Sequence, residues 1–121
     1  MIITDNSFTV DPVRWGPHFW VSIDAIMVVL DPREEQSREF TLYFFHSLQG
    51  TIPCYECRDH YCRYYQEFPV VDVLSSKQQL MEWILRLKNR IRQRQEQPEW
   101  TMEQYLVHLK NVLGVDLLLQ S

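Results

Sequence analysis

A chain of 121 residues with 45% hydrophobic side chains can bury the core of one domain and is too apolar to be disordered throughout. Its net charge of −4 argues against a general nucleic-acid binder, and three cysteines are an odd number, too few for a disulfide scaffold of secreted type. The charge is uneven: Arg86, Lys88, Arg90, Arg92 and Arg94 put five positive charges in nine residues and leave −9 on the remainder.

Met1 to Asp11 carries Asp5 and Asp11 and has no apolar run of signal-peptide type, and the apolar stretch Val21 to Leu30 is too short to span a bilayer and contains Asp24. The expectation is a soluble, intracellular protein without a membrane span. Three glycines and six prolines, against plentiful Glu, Gln, Leu and Arg, favour helix over sheet.

Asp11-Pro12 reads as a helix start, with Asp as the cap and Pro at the first helical position. Trp15, Phe19, Ile23, Ile26 and Leu30 recur at helical spacing and carry a first helix to about Leu30. Asp31-Pro32 repeats the signal and predicts the start of a second helix, with a stripe of Phe40, Phe44, Phe45 and Leu48 and a stop at Gly50. Thr51-Ile52-Pro53 leads into a third helix, in which Cys54, Cys57, Tyr61, Tyr65 and Phe68 share an inward face until Pro69. A loop through Val73 follows. Ser75 with Gln78 is a capping box for a fourth helix with the stripe Leu80, Trp83, Ile84, Leu87 and Ile91, running to about Gln95. Pro98 breaks the chain, and Thr101 with Gln104 caps a short fifth helix of Tyr105, Leu106, Leu109 and Val112 that Gly114 stops. The tail from Val115 to Ser121 is apolar enough to pack or pair. The whole predicts an all-α fold, a four-helix bundle with a short fifth helix, as a single domain over 1–121 with its core over about 11–113.

The centre of the chemistry is Pro53-Cys54-Tyr55-Glu56-Cys57. Two cysteines separated by two residues can close a small disulfide ring, and at a helix N-terminus the free N–H groups and the helix dipole favour thiolate over thiol. Pro53 suits the first turn, where no N–H is needed. A CxxC also occurs as half of a zinc site, and Cys54, Cys57, His60 and Cys62 could be written as a quartet. Cys62 points about 140° away from Cys57 on the same helix, so no metal is assigned. Cys62 reads more simply as a buried or free thiol or a dimer contact, and His60 as a surface residue or a neighbour of the redox pair.

Trp15-Gly16-Pro17-His18-Phe19-Trp20 crowds aromatics around a glycine. Most of them are explained as core, but glycine inside a helix costs about 0.5–1 kcal/mol relative to alanine and suggests a neighbour, such as a flat aromatic ligand, close to the backbone. On the fourth helix Leu85, Lys88, Asn89 and Arg92 lie within about 60° of one another, away from the Trp83–Leu87–Ile91 stripe. That face is either a solvated basic surface or a set of donors for phosphate.

Three stretches together resemble the Erv/ALR family of flavin-linked sulfhydryl oxidases, including its short viral forms. They are Trp15-Gly16 with Trp20, like G-x-x-x-W; Pro53-Cys54-x-x-Cys57; and Trp83-x-x-x-Leu87-Lys88-Asn89-x-Ile91 with Pro98, like W-x-x-x-L-H-N-x-V-N. The resemblance covers about Trp15 to Trp100. It implies an enzyme, a homodimer with one FAD per subunit against the CxxC. Cys57 would form an adduct with the flavin, while Cys54 exchanges disulfides with a thiol protein, a small thioredoxin-like or CxxC partner. Electrons pass to dioxygen and give hydrogen peroxide. It further implies cofactor contacts at Trp15, Gly16, Trp20, Asp24, His60, Trp83, Lys88, Asn89, Ile91 and Arg92, and a location in host cytoplasm or virion for a viral member.

The sequence departs from the pattern where the family's helix 1 histidine is Asp24, the histidine of H-N-x-V-N is Lys88 and its second asparagine is Arg92. It lacks a second cysteine pair to act as a shuttle and the structural pair flanking the fourth helix. The departures motivate the alternative of a non-catalytic helical dimer that has lost FAD and binds proteins; a third reading is a zinc-stabilised interaction module.

Overall fold

The computed structural model describes residues 8–117. It has five α-helices, α1 (Pro12–Val29), α2 (Glu35–Thr51), α3 (Tyr55–Glu67), α4 (Lys77–Arg94) and α5 (Met102–Leu113), with a 3-10 turn at Val70–Val73 where a loop was expected. No described residue lies in a strand, so the all-α expectation holds.

α1 begins as its sequence demands. The Asp11 carboxylate accepts the Val13 N–H at 3.0 Å, satisfying one of the first-turn donors, and Pro12 follows the cap. The second Asp-Pro does something else. Asp31 Oδ1 accepts the Arg33 N–H at 3.0 Å and the same carboxylate holds the Arg33 guanidinium, which makes a turn, and α2 starts only at Glu35. Gly50 does not stop α2 either. The helix runs through it to Thr51 and ends because Ile52, before Pro53, is forced out of the helical region, with φ −57° and ψ 126°. The glycine that does terminate a helix is Gly114, at φ 70° after α5, where the left-handed region suits a residue without Cβ.

The cap of α4 is Ser76, one residue later than expected, accepting from the Gln79 N–H; α5 has the expected Thr101–Gln104 box with both reciprocal bonds formed. Leu117 packs on the core, as the apolar tail suggested, and residues 118–121 lie outside the described residues.

α2 packs against α3, while α4 meets α1, α5 and the 3-10 turn, so α4 is the central helix and buries Leu80, Met81, Trp83, Ile84, Leu85, Leu87 and Lys88. One half of the core is aromatic. The Trp83 ring is approached by Phe45, Tyr61, Tyr64 and Tyr65 with centroids 5.2–6.5 Å away. Its indole N–H donates to the Phe68 carbonyl at 2.7 Å, Tyr64 donates to the Trp83 carbonyl at 2.6 Å and Tyr61 to that of Phe45 at 2.6 Å. The polar groups of Trp83, Tyr61 and Tyr64 thus each find a partner, which a buried hydroxyl or indole requires.

Candidate functional site

Cys54 is the cap of α3 and not, as expected, a residue within it; Pro53 therefore stands outside the first turn. The Cys54 backbone is extended, at φ −133° and ψ 122°, and its sulfur accepts the Cys57 N–H at 3.3 Å. A cap sulfur takes the position that a Ser or Asp oxygen usually occupies, so the dipole of α3 converges on it. Both cysteines are free thiols and half-buried, with Cys57 packed against the core. Burial, and then the neighbouring Cys54 sulfur, push the Cys57 thiol up to about 11. In the dithiol Cys57 therefore holds its proton more tightly than an ordinary cysteine does.

A residue that spacing did not single out holds this start in place. Arg58 donates through Nε and Nη2 to the Ile52 carbonyl, at 3.0 and 2.8 Å, reaching back behind the Cys54–Cys57 turn. Arg94, exposed in the last turn of α4, lies within electrostatic reach of Cys57 and Glu56. Cys62 donates to the Gln49 carbonyl and so ties α3 to α2. Among the described residues no group of three His, Cys, Asp or Glu side chains could hold a metal ion.

The α4 face carrying Leu85, Lys88, Asn89 and Arg92 is not a solvated surface, because α1, α5 and the segment before α5 cover it. Lys88 Nζ meets Asp24 Oδ2 at 2.6 Å, and Tyr105 donates to the other carboxylate oxygen at 2.6 Å. The ammonium also lies over the rings of Trp20, Trp100 and Tyr105, at 5.5, 6.0 and 4.9 Å. Burial lowers the Lys88 pKa while Asp24 pulls it back; burial and the adjoining carboxylate raise that of Tyr105. Asn89 donates to the Trp100 carbonyl at 2.9 Å and accepts its N–H at 2.8 Å. Arg92 donates to the Pro98 carbonyl at 2.6 Å and stacks over Trp100 at 4.6 Å. Tyr105 and Trp100 were read from sequence only as core or flanking aromatics; their pairing with Asp24 and Asn89 spans too many residues for local spacing to reveal.

On α1, Trp15, Gly16 and Trp20 are half-buried, and Trp15 donates its indole N–H to the Val10 carbonyl at 3.0 Å. A Cβ added at Gly16 would meet nothing within 4 Å, so none of the described residues crowds that position. Trp20 joins Lys88 and Asp24, whereas Trp83 belongs to the aromatic core of α2 and α3. His60 and Ile91 are half-buried on α3 and α4. No helix among the described residues is long and apolar enough to cross a membrane.

No individual curated protein and no solved structure matches the chain. Residues 17–110 match the family model described as the Erv1 / Alr family, a span that contains the cysteine pair and all of α2, α3 and α4. The chain is therefore a member of the Erv1/Alr family.

Proposed function

We propose that the protein is an FAD-dependent thiol oxidase that makes disulfides in a partner thiol protein, with dioxygen as the final acceptor and hydrogen peroxide as the product. The observation that carries this reading is the pair itself: Cys54 as helix cap, receiving the Cys57 N–H at 3.3 Å, in a chain of this family. Starting from a Cys54–Cys57 disulfide, a partner thiolate attacks Cys54, a new S–S bond forms and the old electron pair leaves on Cys57. A second partner thiol then closes the partner's own disulfide and releases Cys54. The pair has gained two electrons and the partner has lost them.

FAD, when bound, supplies a two-electron acceptor that dioxygen can reoxidise. The residues present fit such a group on one side of α1. Gly16 has open space where a Cβ would stand, half-buried Trp15 and Trp20 flank it, and a flat ring needs such a shelf. Arg92 and Arg94 offer cations for phosphates. His60 on α3 and Ile91 on α4 complete the proposed contacts. Asp24, Trp83, Lys88 and Asn89 act from behind, since their polar groups are already engaged by protein partners. Lys88, beneath the Trp20 ring, props the shelf.

A homodimer is part of the proposal. α1 and α2 leave Val29, Phe40 and Tyr43 more than half exposed, apolar surface that a second copy would cover.

The test is oxygen consumption by the purified chain driven by dithiothreitol. Yellow protein that consumes oxygen, with turnover lost in Cys57→Ser and kept in Cys62→Ser, is the expected result. Colourless protein that takes up no added FAD would reject the reading.

A further inference from the structure

A groove of about 570 Å3 separates the approach to α1 from the start of α3, lined by Thr9, Val10, Asp11, Pro12, Cys54 and Tyr55. Of the two cysteines in the redox pair, only Cys54 lines it. One wall is the irregular chain of residues 8–10 leading into α1; on the other, Cys54 has strand-like dihedrals and Tyr55 opens α3. The Val10 carbonyl is fixed by the Trp15 indole, while Phe8 and Thr9 make no backbone hydrogen bond among the described residues. The rim is apolar, with Phe8, Val10 and Tyr55 exposed.

The charge of the groove has one sign. Asp11 is a lining residue with no ion-pair partner among the described residues, and Glu56 stands exposed one residue beyond Tyr55. Arg58 bonds the Ile52 carbonyl with its guanidinium 4.9 Å from the Tyr55 ring centroid, Arg14 stands exposed two residues beyond Pro12, and Arg94 acts on Glu56. Among the described residues no cation lines the groove.

We propose that this groove seats an extended, cysteine-bearing segment of the partner thiol protein, with a lysine or arginine beside the cysteine drawn to Asp11. The inference rests on the oxidase reading and deepens it by giving the substrate a local chemistry. Backbone groups left open at Phe8 and Thr9 can pair with those of an extended peptide, and an apolar rim accepts its flanking side chains. A basic neighbour on the peptide serves the reaction twice. It complements the carboxylate, and it lowers the pKa of the attacking thiol, so that the segment arrives as the thiolate that exchange requires. In that step the peptide sulfur bonds to Cys54 and the Cys54–Cys57 bond breaks, its electron pair leaving on Cys57.

The experiment isolates Cys54 in the full-length double variant Cys57→Ser, Cys62→Ser. The probes are single-cysteine hexapeptides with lysine, alanine or glutamate beside the cysteine, each activated as a mixed disulfide with thionitrobenzoate. Attack by Cys54 on the peptide sulfur joins the two and releases coloured thionitrobenzoate, and each rate is divided by that of free N-acetylcysteine as the same peptide's attacker. The expected result is a lysine peptide at least about threefold faster than its glutamate counterpart, the size expected for one charge pair in water. That ratio should fall towards one in high salt. It should also fall towards one in Asp11→Asn, which keeps an oxygen to cap α1 but removes the charge. Equal rates for the peptides, or a lysine preference that survives Asp11→Asn, would overturn the assignment. Oxygen uptake driven by dithiothreitol in the unaltered chain reports on the oxidase reading alone, so the two fail separately.

Discussion

Lys88 Nζ and Asp24 Oδ2 lie 2.6 Å apart, and the carboxylate is wholly buried between α1, α4 and α5. Both residues stand where the resembling pattern has histidines. The geometry makes the two departures one event, because a buried aspartate is tolerable there only with the lysine opposite and the Tyr105 hydroxyl on its second oxygen. What looks in sequence like the loss of two ligands is, in the fold, the gain of a cross-brace between helices.

Breaking the brace from one side should be far worse than removing it. Lys88→Met leaves a buried carboxylate with only Tyr105 and is expected to cost about 3–5 kcal/mol, whereas Lys88→Met with Asp24→Leu should recover most of that loss. Chemical denaturation of the single and double variants checks this, and equal losses would mean that the pair contributes by packing alone.

Tyr105→Phe removes one hydrogen bond to a charged group without opening a cavity. The expected loss is about 1.5–3 kcal/mol, read as a lower unfolding midpoint. A change smaller than about 0.5 kcal/mol would place the Asp24 charge wholly on Lys88.

Gly16→Ala separates stability from cofactor retention. The added methyl group meets no protein atom and relieves a glycine in a helix, so the melting temperature should rise by the equivalent of about 0.5–1 kcal/mol. If the open space beside Gly16 takes the flavin, the same variant should hold FAD less tightly. Higher stability with undiminished flavin content would move the cofactor elsewhere.

Asn89→Ala unlatches Trp100, which the amide holds through both its backbone N–H and its carbonyl. Two partly buried hydrogen bonds lost from one side should cost about 1–3 kcal/mol and shift tryptophan fluorescence to longer wavelength as the segment before α5 loosens. An unchanged emission spectrum would show that Arg92 alone secures it.

The raised pKa of Cys57 gives a pH dependence with a definite sign. Its thiol ordinarily titrates near 9.0 and is pushed up to about 11 in the fold, so the native dithiol binds the proton more tightly than the unfolded chain does. The associated stability is complete below pH 9.0 and is lost as pH rises through about 11. Iodoacetamide at pH 8 should accordingly modify Cys54 before Cys57, with Cys57 catching up only in strong alkali. Mass mapping of the labelled peptides reads the order, and the reverse order would exchange the roles of the two sulfurs.

The bundle was legible because four of its helices announce themselves by apolar periodicity and by caps whose bonds form as written, at Asp11 and Thr101 above all. The second Asp-Pro failed although Asp31 accepts the same i+2 N–H that Asp11 does; what differs is the Arg33 guanidinium, which also takes both Asp31 oxygens. Gly50 failed because glycine ends a helix only where the backbone turns left-handed, which happens at Gly114 and not there. The cysteine pair was placed at the head of α3 but misplaced by one residue, since sulfur is an uncommon cap. The α4 face was the least readable. A helical wheel fixes which side of α4 Lys88 occupies but carries no information on what lies opposite, and the answer came from residues 64 and 17 positions away in sequence, Asp24 and Tyr105.

Arg58 has a last implication. By gripping the Ile52 carbonyl with two bonds, it moors the chain immediately before the cysteine pair. In the oxidase we propose, the head of α3 would then keep its place while the bond between Cys54 and Cys57 opens and closes.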